Sequence, residues 1–223
     1  SGDETIKILN TLKENELNIH LTKQLPSDPE TTFTAIIDIE KRGLTAANHT
    51  ATHLLHNALR EMLGTHIEQK GSLVHYDYFR FDFSHFQKLT ENEIDDIEKS
   101  VNRKIRKNFN LVEQRNLPLE QAKASGAISL FGEKYGNKVR TVRFGDSIEL
   151  CGGTHSAATG QIGIFKIISE SAIAAGIRRI EAVTGPCAEE YILEQEKTLG
   201  KIESLLKSKT DPVKTLENLL EEK

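Results

Sequence analysis

The sequence has few cysteines and no long hydrophobic run, and each absence excludes a class of protein. Two cysteines in 223 residues, Cys151 and Cys187, cannot form the disulfide scaffold of a small secreted domain. No apolar stretch approaches the roughly 18 residues that a membrane-spanning helix needs. The first residues, Ser1-Gly2-Asp3-Glu4, do not form a signal peptide. We therefore expect a globular protein of the reducing cytoplasm, with no membrane partner.

The chain also has no excess of positive charge. Its 29 Lys and Arg residues against 33 Asp and Glu residues give a formal net charge of −4. A basic field over the whole surface is therefore excluded, and any contact with RNA must come from local patches. Hydrophobic residues make up 37% of the chain, which is typical of a domain with a buried core.

Hydrophobic periodicity predicts an α+β fold in which an antiparallel sheet packs on helices. Residues 1–43 alternate in polarity and predict three short strands, the last at 33–39. These strands either pair with later ones or form the C-terminal part of an upstream β domain, and we favour the second interpretation. Residues 44–187 form the main domain, and residues 188–223 predict a charged, amphipathic helical tail.

The main domain begins with an apolar helical pattern over about 44–63, which Gly64 ends. Thr90 and Glu93 form a capping box at the start of a second helix, 91–107. The rest of the domain predicts a short helix at 119–124 and strands at 66–74, 78–83, 111–115, 139–144, 147–150, 163–169 and 177–184.

Two pairs of potential metal ligands are the most informative feature of the sequence. His49 and His53 are four residues apart on the first helix of the main domain, so both imidazoles lie on one face and can reach one ion. Cys151 and His155 flank two glycines, Gly152-Gly153, which allow a sharp turn. Three neutral imidazoles and one thiolate predict a Zn²⁺ site of net charge +1.

The remaining histidines are weaker candidates for metal binding. His56 shares the helix face of His49 and His53, opposite the apolar stripe of that helix, and we expect it to pack beside the ligands. The spacing of His49 and His53 alone is also typical of surface or half-buried histidines that bind no metal, and the pair Cys151 and His155 alone is a modest signal. The other histidines predict ordinary surface or hydrogen-bonded positions, at His20, His66, His75 and His85.

Several short motifs occur in a fixed order between Thr45 and Gly185. They lie at 48–56, 63–66, 69–74, 80–85, 130–136, 149–155, 167–171 and 176–185. Together they resemble the editing region of alanyl-tRNA synthetase. Editing domains of threonyl-tRNA synthetase have similar histidine and cysteine pairs, but the Gly-Ile-Arg-Arg-Ile-Glu-Ala-Val-Thr-Gly ending favours the alanyl branch. Freestanding trans-editing proteins of the same superfamily are the nearest alternative.

The resemblance implies an aminoacyl-tRNA ester hydrolase that removes serine or glycine from the 3′ end of tRNA(Ala). A separate hydrolytic site is needed because the pocket that selects alanine for attachment to tRNA rejects neither glycine nor the near-isosteric serine strongly. In the full-length enzyme, a domain that is absent here attaches alanine to tRNA(Ala) with ATP. The resemblance also implies that residues 1–43 are a partial β-barrel remnant. Residues 188–223 resemble the start of a coiled segment, through which an oligomer would form, and the rest of the synthetase chain would be a partner.

Three residues are candidates for the catalytic set. A hydroxyl at Thr52 and an amide at Gln69 supply the donors and acceptors that a serine hydroxyl requires. Cys151 enters the set as a metal ligand, and a covalent thiol mechanism is not expected. Zinc would either activate a water or orient the substrate for a separately bound water, and the sequence leaves both open.

The candidates for RNA contact are Arg178 and Arg179, which would bind phosphate, and Gly71 and Ser72, whose backbone N–H groups would face the terminal ribose. We interpret the other basic residues, at 103–107, Lys138, Arg140 and Arg143, as solvated faces of helices and strands.

Two other functions remain open from the residues alone. The chain is either a metal-stabilised RNA-binding module without catalysis or a zinc hydrolase of small amides or peptides. The second requires a glutamate after the first histidine, as in HExxH, whereas positions 50–52 are Thr-Ala-Thr.

Overall fold

The computed structural model describes residues 4–15, 17–129, 135–208 and 211–222, and it confirms the α+β class. The chain divides into two compact units, Ser1–Asp38 and Ile39–Lys223. Residues 130–134, which carry most of the motif at 130–136, lie outside the described residues.

The first unit contains one antiparallel hairpin, in which β1 (Ile8–Glu14) pairs with β2 (Leu17–Thr22). The third strand predicted at 33–39 is wrong, because residues 33–38 have no regular structure. Among the described residues, no strand pairs with this segment, and Ile36 is 91% exposed. Neither a hydrogen-bond ladder nor burial therefore offsets the entropy of ordering it.

The second unit begins with α1 (Ile39–Leu63), five residues before the predicted start. The extra turn is charged and exposed, so its hydrophobic pattern gives no sign of it, although Glu, Lys and Arg favour helices. Gly64 ends the helix as predicted, with a φ of 114° and an N–H that donates to the Arg60 carbonyl at 3.1 Å. The elements that follow are β3 (Gln69–Val74), β4 (Phe79–Ser84), α2 (Glu91–Arg106), β5 (Val112–Pro118), α3 (Leu119–Ala124), β6 (Lys138–Phe144), β7 (Ser147–Leu150), β8 (Phe165–Ala174), β9 (Ile177–Thr184), α4 (Gly185–Leu206) and α5 (Pro212–Glu221).

Two antiparallel sheets build the second unit. The larger has the strand order β3-β4-β9-β8, and the smaller has the order β5-β6-β7. In β4, Phe79, Phe81 and Phe83 alternate with partly exposed polar residues and are fully buried. This strict alternation fixes which face of the larger sheet packs on the helices, because a shift of one residue would expose all three rings.

The helix α1 contacts both sheets. Its apolar residues pack with the phenylalanines of β4, and its other side contacts β7 of the smaller sheet. His53 and His56 are buried on that helix, although they lie opposite its apolar stripe. The predicted histidine face is thus a buried polar surface rather than a solvated one.

Local signals at the helix ends agree with the structure. The hydroxyl of Thr90 accepts a hydrogen bond from the Glu93 N–H at 3.2 Å, and the Glu93 carboxylate accepts one from the Thr90 N–H at 2.8 Å. This is the predicted capping box of α2. The predicted helical tail comprises α4 and α5, which expose several leucines. In the described part of the chain, no helix is both long enough and apolar enough to cross a membrane.

We expect Phe79→Ala to lower the free energy of unfolding by about 3–5 kcal/mol, because it leaves a cavity beside Phe165. The matched control is Phe86→Ala, since Phe86 is 90% exposed and its loss should change stability by no more than about 0.5 kcal/mol. Urea unfolding of the two variants measures the difference, and equal losses would contradict the assigned core.

Candidate metal centre

The structure brings the four predicted ligands together. One potential ligand atom from each of His49, His53, Cys151 and His155 lies within 4.8 Å of the others. The Cys151 Sγ lies 3.5 Å from the His49 Nε2 and 3.3 Å from the His155 Nε2. The imidazole rings also lie close together, with the centroids of His49 and His155 4.2 Å apart. These residues could hold one metal ion.

The two glycines of the 151–155 loop have unequal roles. A Cβ on Gly153 would lie 2.2 Å from the His49 Cε1, whereas a Cβ on Gly152 would meet nothing within 4 Å. Neither glycine has the positive φ that only glycine tolerates well. The expected sharp turn therefore does not explain both: Gly153 is needed because the loop backbone lies against the His49 ring.

Each imidazole of the cluster has a polar group next to its Nδ1. The His49 Nδ1 lies 3.1 Å from the Thr154 carbonyl oxygen, and the His155 Nδ1 lies 3.3 Å from the Thr50 hydroxyl. The His53 Nδ1 lies 3.5 Å from a carboxylate oxygen of Glu149. Partners of this kind orient metal-binding histidines and leave the Nε2 atoms for the ion.

Two of the supporting residues connect distant parts of the chain. Thr50 donates to the Ala46 carbonyl at 2.8 Å and accepts from the Ser156 N–H at 3.0 Å, so it fixes the loop to α1. Arg140 donates to the Cys151 carbonyl at 3.0 Å and the Gly153 carbonyl at 2.7 Å.

The interpretation of Arg140 as a solvated basic residue is therefore wrong. It is mostly buried and also forms an ion pair with Glu113. The register places Arg140 beside the cysteine, because the Cys151 N–H donates to the Arg140 carbonyl at 3.1 Å. The sequence analysis missed the roles of Arg140, Thr50 and Glu149. Thr50 and Glu149 lie within two residues of a ligand in the sequence, whereas Arg140 lies in a different strand, β6.

The histidines of the cluster are held in the neutral form. Burial lowers the pKa of His49 and lowers that of His53 well below its usual value of 6.5. Burial, together with smaller contributions from the charges of His49 and Arg140, lowers the pKa of His155 to about 3. Neutral imidazoles are the form that binds metal, so the donor set fits a metal ion such as zinc.

One buried nitrogen also fits a metal-binding role. The His53 Nδ1 makes no hydrogen bond of normal geometry in the part of the chain that the structure describes. The Glu149 carboxylate lies 3.5 Å from this nitrogen. An ion on the Nε2 would favour the tautomer that donates from Nδ1 to this carboxylate.

Thr52 and Gln69 lie in different elements of the second unit. Thr52 is buried between the two helical ligands, and its hydroxyl donates to the Asn48 carbonyl at 2.9 Å. Gln69 donates from its Nε2 to the Ser72 hydroxyl at 3.3 Å. The register pairs Gln69 with Phe83 and Ser72 with Phe81, so both polar residues lie on the same face of the sheet as the phenylalanines of β4, where Gln69 is half-buried and Ser72 is exposed. Residues three apart in a regular strand would point to opposite faces, and the register shift between Gln69 and Gly71 brings these two onto the same face.

The two arginines predicted to bind phosphate are both engaged in ion pairs. Arg178 is 9% exposed and pairs with Glu170, whereas Arg179 forms two bonds with Asp82, at 2.6 and 2.8 Å. Adjacent strand residues point to opposite faces, so the two guanidinium groups do not form one patch. Their role in RNA binding stays a prediction, as does that of Gly71 and Ser72.

A cavity of about 520 Å³ adjoins the cluster. It lies between the N-terminal half of α1, the loop after Cys151 and the start of α4. Thr154 and His155 line it together with residues that include Arg42, Ala47, Gln161 and Pro186. A molecule in this cavity would contact one of the four candidate ligands directly.

Comparison with known proteins gives consistent matches. Residues 139–181 match the family described as the threonyl and alanyl tRNA synthetase second additional domain. The whole chain is 56% identical to part of an alanine–tRNA ligase from Cytophaga hutchinsonii, covering 26% of that protein. It is 58% identical over 93% of its length to 24% of the enzyme from Bacteroides thetaiotaomicron, and 54% identical over its whole length to 26% of the enzyme from Christiangramia forsetii. The chain therefore spans about a quarter of the length of these relatives.

We expect the metal-free protein to lose stability as the pH falls below 6.5. The unfolded chain binds protons on histidine below about pH 6.5, whereas the folded state resists them because burial lowers the pKa of His49, His53 and His155. The free energy of unfolding is thus highest above pH 6.5 and falls with pH towards about 3, the pKa of His155. Urea unfolding of chelator-treated protein across this window measures the slope.

The comparison that isolates the cluster uses two variants. In His155→Asn the slope should be shallower, because one group that resists protonation is gone. In His20→Asn, which changes an exposed histidine of the first unit, the slope should equal that of the wild type. Identical slopes in all three proteins would contradict the assignment.

Proposed function

We propose that this chain hydrolyses mischarged tRNA(Ala). The matches above confirm its resemblance to the editing region of the alanyl-tRNA synthetase family. The substrates are Ser-tRNA(Ala) and Gly-tRNA(Ala), and the bond broken is the ester between the amino acid and the terminal ribose. The convergence of His49, His53, Cys151 and His155 beside a cavity carries the proposal. An HExxH peptidase mechanism is disfavoured by the same helix, because Thr50 occupies the glutamate position and binds the loop instead.

The ion we propose is Zn²⁺. Three imidazoles and one thiolate are soft or borderline ligands that suit zinc, whereas Mg²⁺ and Ca²⁺ prefer oxygen ligands. When bound, zinc supplies a Lewis acid that can polarise a carbonyl or a water. His49, His53, Cys151 and His155 would hold the ion, while Thr50 and the Thr154 carbonyl keep the His155 and His49 rings in place.

Selection of serine over alanine requires polar groups that recognise the extra hydroxyl. The Thr52 hydroxyl already donates to its own helix, so it can only accept a hydrogen bond from the serine. Gln69 uses one N–H on Ser72 and retains its carbonyl oxygen and a second N–H for the substrate. Alanine cannot satisfy such groups, and a polar site left unpaired rejects it more strongly than a difference in size would.

The nucleic-acid end of the substrate is a single terminal nucleoside rather than a duplex. The cavity beside His155 lies within the 300–1,000 Å³ range of sites for small molecules, and we propose that it holds this nucleoside. Arg42 at its margin supplies a positive charge for the adjoining phosphate. The net charge of −4 is consistent with recognition of a chain end, with the rest of the tRNA bound by other parts of the synthetase.

The activity of a full-length relative extends beyond this part. We propose that ATP-dependent alanylation of tRNA(Ala) resides elsewhere in such an enzyme, and that the protein works in the cytoplasm. The exposed leucines of α4 and α5, which include Leu199, Leu205 and Leu219, would form an interface between copies of the chain.

We expect the purified chain to hydrolyse Ser-tRNA(Ala) faster than Ala-tRNA(Ala), and Gln69→Ala to slow serine removal by about tenfold through loss of one hydrogen bond. The rate of deacylation of each charged tRNA measures the effect. Gln87→Ala removes an exposed amide from a loop and serves as the matched control. Wild-type rates for Gln69→Ala would contradict its role.

We also expect one zinc per chain in protein purified without chelators, and its loss in His53→Ala. Elemental analysis measures the stoichiometry, and His66→Ala, which alters an exposed histidine outside the cluster, should retain the metal. Metal-free wild-type protein would contradict the centre. Zinc binding without deacylation would favour the RNA-binding module over the hydrolase.

A further inference from the structure

We propose that Glu149 is a positioning residue of the metal centre, which orients His53 and supplies the negative charge that balances the bound ion. This inference rests on the proposed zinc site. Glu149 was not a candidate in the sequence, because a glutamate in a short strand predicts a solvated position. In the structure its side chain is 3% exposed, at the end of β7 and two residues before Cys151.

The carboxylate of Glu149 spans two imidazoles of α1. Its Oε1 lies 2.9 Å from the His56 Nδ1, and its Oε2 lies 3.5 Å from the His53 Nδ1. His56 is itself buried, with its ring 5.3 Å from that of Phe81. The bond from His56 therefore fixes the carboxylate on a rigid part of the core, and the second oxygen is directed at the metal ligand.

The partners of Glu149 differ from those of two other carboxylates with little exposure, Glu170 and Asp82. Glu170 is equally buried and pairs with Arg178, and Asp82 pairs with Arg179. In the described ranges, the Glu149 carboxylate has hydrogen bonds and ion pairs only with imidazoles. Arg140, the cation that holds the adjacent loop, pairs with Glu113 instead. A buried carboxylate without a permanent cation is unfavourable unless another positive charge lies nearby.

A bound ion would supply that charge. Zn²⁺ with one thiolate and three neutral imidazoles would have a net charge of +1, and a buried net charge is costly unless it is paired. The single negative charge of the Glu149 carboxylate would bring the total of the buried group to zero. Glu149 would act on a bound ion through His53, since a carboxylate that accepts a hydrogen bond from Nδ1 makes the Nε2 a better ligand.

The test compares zinc affinity in two substitutions of the same residue. Glu149→Gln keeps the shape and removes the charge, and we expect it to weaken zinc binding about 10–100-fold, measured by competition with a chromogenic chelator. Glu149→Asp keeps the charge, and we expect its affinity to lie closer to the wild type than that of Glu149→Gln. Glu170→Gln is the control, because it removes an equally buried carboxylate outside the cluster and should leave the affinity unchanged.

A second measurement distinguishes this role from a purely structural one. The rise in unfolding temperature when zinc is added should be smaller in Glu149→Gln than in the wild type. In Glu170→Gln, the unfolding temperatures of the zinc-free and zinc-bound forms should fall by the same amount. Wild-type zinc affinity in Glu149→Gln would overturn the proposal. Equal losses in Glu149→Gln and Glu149→Asp would overturn the charge-balancing role.

These measurements need neither tRNA nor ester hydrolysis. A failure of deacylation, with the affinities as expected, would overturn the proposed function and support the role of Glu149. Absence of zinc binding by the wild type would overturn both.

Discussion

The contact between α1 and the loop that follows β7 joins residues about a hundred positions apart, and the site depends on it. The Thr50 hydroxyl accepts from the Ser156 N–H, the Thr154 carbonyl lies beside His49, and the Gly153 backbone lies against the same ring. Each contact uses a backbone group of the loop, so the loop is fixed whether or not an ion is present. A ligand set held in advance loses little conformational entropy when it binds a metal.

The middle of α1 is unusual because it buries polar side chains on several sides. Asn48 donates to the carbonyls of His75 and Tyr76 and accepts from the Thr184 hydroxyl. A buried amide with so many bonds fixes the helix against the β3–β4 turn and the end of β9. The position of His49, the next residue, is thus determined by hydrogen bonds from two directions as well as by apolar packing.

Local patterns predicted much of this arrangement. The capping box at Thr90, the end of α1 at Gly64 and the spacing of His49 and His53 depend on neighbours within a few residues, and sequence shows such neighbours directly. The strand predicted at 33–39 depends on a pairing partner, which a local pattern cannot supply.

Glu149 and Arg140 were missed for the same reason. Each looks like a solvated residue of a short strand, and only the packing of the smaller sheet on α1 shows what each contacts. The electrostatics of the site were therefore less predictable than its ligand set. The ligand spacing is local within each pair, whereas the charges that balance it come from other strands.

Gly152 and Gly153 look identical in the sequence, yet the structure makes them unequal. One has open space where a side chain would project, and the other has an imidazole 2.2 Å away. Small polar or apolar side chains can therefore replace Gly152 without a clash, whereas even the methyl group of an alanine at position 153 would displace His49. An interpretation of the pair as a single flexible hinge would overlook that the backbone of Gly153 forms the surface on which the His49 ring packs.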